Sequence, residues 1–170
     1  MGVQTFVIQD IERIESGNAQ VAYEDYTAVK SNMKDKENEF DKLVSILEDK
    51  DIASIDISEM EKTEALNSEI KLLGKKTKEF KIQCEIEINS FLKETEELNK
   101  ELKKYENFID QTENIAFVNE LFSNVLIMVQ CPNSNLIEKI ACISEARIAI
   151  KNLILNIKKA WLHNYKNKIF

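Results

Sequence analysis

The chain carries one histidine, His163, and three cysteines, Cys84, Cys131 and Cys142. These are the side chains best suited to act as base, nucleophile or soft metal ligand near neutral pH. A nucleophile needs a base within hydrogen-bond reach, and the base needs a third group to hold it. Cys142 with His163 is the one pairing conceivable, and helical periodicity sets them about six turns apart on a single segment. No second histidine exists for a metal site, and H-E-x-x-H, C-x-x-C and the Glu-x-x-His of di-metal helical bundles are all missing from the sequence. No glycine-rich loop offers backbone amides to phosphate. The expectation is a non-enzymatic protein without catalytic, cofactor-binding or metal residues. The cysteines then read as reduced, small apolar side chains.

What must be positioned is therefore a set of surfaces. The chain has 170 residues, three glycines (Gly2, Gly17, Gly74) and one proline, Pro132. Sheets need many turn residues, so this scarcity predicts few turns and long helices. Charged residues make up 31% and hydrophobic ones 44%, which suits amphipathic helices rather than disorder. A net charge of −7 disfavours general nucleic-acid binding. The sign is uneven: residues 35–69 hold twelve acids against four lysines, whereas residues 146–170 hold six cations and no acid. That pattern implies opposed charged ends, or a basic segment with an acidic partner. No basic leader precedes an apolar run at the N-terminus, and no run is long enough to span a bilayer. The expected location is cytoplasmic, or exported without a cleavable signal peptide, with no transmembrane helix.

Periodicity predicts four helices, over about 3–16, 19–50, 59–131 and 135–168, in one helical domain covering 1–170. The first carries Phe6, Val7, Ile11 and Ile14, and Gly17 stands where a C-cap belongs, with Asn18 placed to cap the second helix. The second repeats Ala22, Tyr26, Val29, Met33, Lys36, Phe40, Leu43 and Leu47 in alternating steps of three and four, a heptad seam with one polar member. Residues 51–57 read as a loop. Ser58 and Glu61 have capping-box spacing for the third helix. Its seam runs through Leu66, Leu73, Phe80, Phe91, Leu98, Leu102, Tyr105 and Ile109, with a stutter near Cys84. Glu96 and Lys100 are spaced as an i,i+4 pair. If unbroken to Pro132 this helix would be about 110 Å long, and Gly74 or the region of Thr112 is where it would bend or break. The fourth helix has Asn135 and Glu138 as a cap pair. Its inner stripe is Ile140, Ile143, Ala146, Ile150, Ile154, Ile157, Trp161 and Tyr165, widened by Leu153, Leu155 and Leu162. The predicted fold is all-α: elongated antiparallel helical hairpins, or a coiled-coil-like bundle, with one very long central helix.

Three surfaces then carry the functional expectations. The seam of the third helix wants a partner, from its own chain or from another. The stretch with Phe117, Leu121, Phe122, Val125, Leu126 and Met128 is apolar nearly all round, so it is bundle core, an oligomer interface or a hairpin tip that probes membranes. The segment bearing Lys151, Lys158, Lys159 and Trp161 is a basic amphipathic helix, which is either a core helix with a solvated lysine face or a lipid- or partner-binding one. The leading expectation is an assembly or adaptor protein acting through coiled-coil contacts, as a homo-oligomer or with a helical partner. A membrane-active helical protein and a small chaperone or inhibitor are the alternatives.

Overall fold

The computed structural model describes residues 2–105, 112–132 and 134–169, and the side chains of 15–105, 113–132, 134–164 and 166. Ile109 and the side chains of Phe6, Val7, Ile11, Ile14 and Tyr165 lie outside the described residues. The fold is all-α, without a strand among the described residues. Its helices are α1 (Gly2–Glu48), α2 (Ile57–Lys103), α3 (Thr112–Gln130) and α4 (Leu136–Ile169), with a short 3-10 turn at Ile52–Ser54.

The third predicted helix is two helices. α2 spans 47 residues and ends at Lys103, and α3 starts at Thr112. The last turn of α2 tightens as the Lys104 amide donates to Glu101 O and the Tyr105 amide to Leu102 O. Such i→i+3 bonds are a common way to close a helix. Gly74 does not interrupt α2. The hydrogen bonds of a helix tolerate an isolated glycine at a cost of about 1 kcal/mol against alanine. The first two predicted helices run together as α1, with a kink at Gly17, where φ is 45° and ψ is −117°. Only glycine adopts that backbone freely, so the break foreseen at Gly17 is present as a kink.

α2 starts earlier than the Ser58–Glu61 spacing suggests. Asp56 is the cap: its Oδ1 accepts from the Ser58 amide at 3.2 Å. Bonds from the Ser58 amide, the Ser58 hydroxyl and the Ile57 amide hold the Asp56 carboxyl below its ordinary value. A carboxylate at a helix N-terminus satisfies orphan amides and meets the positive end of the dipole, which is why it outcompetes the serine two residues on. Glu59, rather than reaching back to close a box, is bound by Lys50 Nζ at 2.8 Å. The α4 cap stands as read: Asn135 Oδ1 accepts from the Glu138 amide at 2.8 Å. Just before it, the Ser134 hydroxyl reaches Met128 O and Cys131 O, both at 2.8 Å, and ties off the end of α3.

The sequence reads as one helical domain; within it, two compact units are distinguished. Val21–Cys84 is a helical hairpin formed by most of α1 and the first part of α2. Its two arms are antiparallel, as fixed by contacts at both levels: Lys50 with Glu59 near the turn, and Lys36 with Glu69 at 3.8 Å further along. Deeper still, the Thr77 hydroxyl lies 3.7 Å from Met33 Sδ. The polar seam member Lys36 is explained by those acids: its stem lies in the seam and its ammonium reaches Glu69 and Glu39. The second unit, Met1–Gln20 with Glu85–Phe170, gathers the start of α1, the end of α2, α3 and α4. Its core holds Ile88, Phe91 and Leu102 from α2, Ile115, Val118, Phe122, Val125 and Val129 from α3, and Ile140, Ile143, Ile150, Leu153, Ile154 and Ile157 from α4. The α3 positions recur in steps of three, four, three and four, the spacing that keeps one face inward. Each such side chain contributes about 1.5–3 kcal/mol when taken from water.

Candidate interaction surfaces

The seam of α2 is buried within the chain over much of its length. Leu66, Leu73, Phe91 and Leu102 are buried, and Phe80, Leu98 and Tyr105 are half-buried. Beyond Phe91 the buried line passes through Thr95 and Asn99. The Thr95 hydroxyl donates to Phe91 O at 2.9 Å, so its burial leaves no donor unmet. Asn99 Oδ1 and the Ser144 hydroxyl have no hydrogen-bond partner among the described residues. Leu98 is displaced from the core line to the side of α2 that faces Arg147.

The stretch at 117–129 divides into two faces. Phe122 and Val125 are buried, Leu121, Leu126 and Met128 are half-buried, and Phe117 and Ile127 are exposed. No described helix is long and apolar enough to cross a membrane. On α4 the inner stripe is buried as far as Ile157 and emerges at the exposed Trp161; of the flanking leucines Leu153 is buried, and Leu155 and Leu162 are exposed, as are Lys158 and Lys159. Trp161, Lys158, Ile157 and Tyr105 line a small, mostly apolar pocket.

Lys151, placed in the basic helix by sequence, has a structural bond. Its Nζ donates to Glu15 Oε2 at 2.9 Å. The same carboxylate accepts from Arg147 Nε at 2.9 Å. Arg147 also reaches Glu94 at 3.3 Å and lies over the Phe91 ring, 5.5 Å from its centroid. This cluster joins α1, α2 and α4 just before the Gly17 kink. Sequence reasoning missed it. Charge type alone cannot pair residues 132 positions apart. The i,i+4 pair expected from Glu96 and Lys100 is replaced by Lys100 with Glu97 at 3.4 Å, an exposed and weak contact.

His163 is exposed on α4 and Cys142 is half-buried near its start. Burial, and then the nearby Glu145 carboxylate, raise the Cys142 thiol above its ordinary value. That lowers its thiolate fraction and so its reactivity. Among the described residues no group of three His, Cys, Asp or Glu side chains is arranged to hold a metal ion.

The turn of the hairpin, an ordinary loop by sequence, carries a surface that sequence reasoning missed as well. Ile52 there is 91% exposed and Ile57 75% exposed, with Ile46 and Met60 exposed beside them. Isolated exposed apolar residues are ordinary, but four gathered at one end of a hairpin are not. No protein-family model, curated protein or solved structure matches this chain.

Proposed function

We propose that the protein is a non-enzymatic helical assembly or adaptor protein, acting through coiled-coil contacts with itself or with a helical partner. The observation that carries this reading is the thinness of the Val21–Cys84 hairpin. Within it only Ala22, Leu66, Leu73 and Cys84 among the apolar residues are buried. Tyr26, Val29, Met33, Phe40, Leu43 and Leu47 line the inward face of α1 yet stay half-buried. Two helices alone cover only part of an apolar stripe, and a further helix laid along them would complete the layer. Val21, Leu72 and Ile82 add exposed apolar surface to the same hairpin.

The test is sedimentation of the full chain over a range of concentrations, followed by amide hydrogen exchange of the associated form. A concentration-dependent oligomer, or a stable complex with a helical partner, with slowed exchange centred on residues 21–84, is the expected result. A chain that stays monomeric at every concentration and retains no partner overturns the reading.

A further inference from the structure

The two exposed apolar patches carry opposite charge. Residues 46–61, at the turn of the hairpin, hold six acids and one lysine. The lysine, Lys50, is already bound to Glu59. Ile52 and Ile57 project from this acidic ground at 91% and 75% exposure. On α4, Leu155, Lys159, Leu162 and Lys166 are all exposed and recur in steps of four, three and four, so they share one helix face. Residues 146–170 contain no acid. One patch is thus apolar with an acidic rim, the other apolar with a basic rim.

We infer that the acidic tip of one copy docks on the Leu155–Leu162 face of α4 in a second copy. The inference rests on the assembly reading and gives it a particular contact. Ile52 and Ile57 would cover Leu155 and Leu162, while Asp49 and Asp51 meet Lys159 and Lys166. Unlike patches make the contact head-to-tail, so a pair of copies keeps one unused tip, on one copy, and one unused helix face, on the other, and the assembly extends until it closes into a ring or runs on as a filament. The tip offers about 15 residues, fewer than the roughly 20–30 a side of a standard interface. The association is accordingly weak, reversible and sensitive to salt, because its charges lie at the rim.

Two variants of the full chain test this. Ile52→Asp disables the tip and Leu162→Asp disables the helix face; both sites are exposed, and circular dichroism checks that each variant folds. Alone, each is expected to be monomeric where the wild type associates. Mixed, they are expected to form a 1:1 heterodimer that grows no further, because only one intact tip and one intact face remain. The milder Asp51→Lys and Lys159→Glu variants each weaken self-association roughly tenfold, and mixing or combining them restores part of it. A wild-type oligomer indifferent to both apolar variants overturns this contact and leaves self-assembly through another face. Loss in Ile52→Asp alone, with Leu162→Asp unaffected, also overturns it. A wild type that is monomeric at every concentration overturns it too, and leaves only a different helical partner for the assembly reading.

Discussion

Removing the Glu15 carboxylate is the sharpest probe of how the larger unit is tied together. Glu15 and Arg147 have side chains only 17% and 18% exposed, so their bond is largely shielded from water. It is a charge-assisted bond at 2.9 Å, and Lys151 adds a second at the same distance. Bonds of this kind contribute about 1.5–3 kcal/mol, against at most about 1 kcal/mol for an exposed pair. Lys151 is 43% exposed and its share is discounted to the exposed level. Glu15→Ala also leaves the Arg147 guanidinium with Glu94, itself 64% exposed, and the Phe91 ring as partners. The expected cost is about 2–3 kcal/mol. Arg147→Met keeps the aliphatic stem in place and loses the charge. The Glu15/Arg147 coupling in a double-mutant cycle is expected at about 1.5–2 kcal/mol. Trp161 is the single tryptophan and belongs to the same unit, so its emission during urea unfolding follows this unit rather than the hairpin. A coupling below about 0.5 kcal/mol, the value of a surface pair, would refute the reasoning.

One substitution at two glycines is expected to act with opposite sign. Gly17→Ala meets no atom within 4 Å but is forced to φ 45°, so it costs about 1–3 kcal/mol, whereas Gly74→Ala lies in a regular helix with Met33 at 4.0 Å and gains about 0.5–1 kcal/mol; thermal unfolding of both variants decides it. Asp56 has a folded value below 3.8, so its contribution to the start of α2 is present above that pH and is lost as pH falls through the lower folded value. Hydrogen exchange at residues 57–60 is expected to quicken only in strong acid, and Asp56→Asn to flatten that acid limb. Ile150→Ala, at a fully buried position of α4, is expected to cost about 2–5 kcal/mol, while Ile52→Ala changes stability by less than about 0.5 kcal/mol; chemical denaturation measures both.

Much of the fold was legible because helices announce themselves locally. The apolar helical stretch through Phe122 and Val125, the Asn135 cap and the break at Gly17 each depend on residues within a turn or two of one another. The α2 cap falls at Asp56, two residues before the expected Ser58, because Ser58 and Glu61 have the spacing of a capping box without its geometry. The break between α2 and α3 was legible only as one of two open places, Gly74 or the region of Thr112, and the structure has it before Thr112. Residues 104–111 have no proline or glycine, so no local signal separates a helix that continues from one that stops at Lys103.

The candidate surfaces were less legible, since exposure is a property of what else is nearby. The composition and heptad spacing by themselves determined an all-α protein with a long helix, because backbone propensity and side-chain period act over a few residues. Tertiary structure alone decided that Phe122 and Val125 are core and Phe117 is not, that Glu15 meets Arg147, and that Ile52 and Ile57 are left in water. Those outcomes depend on which helices meet, and packing between residues far apart in the chain is what selects them.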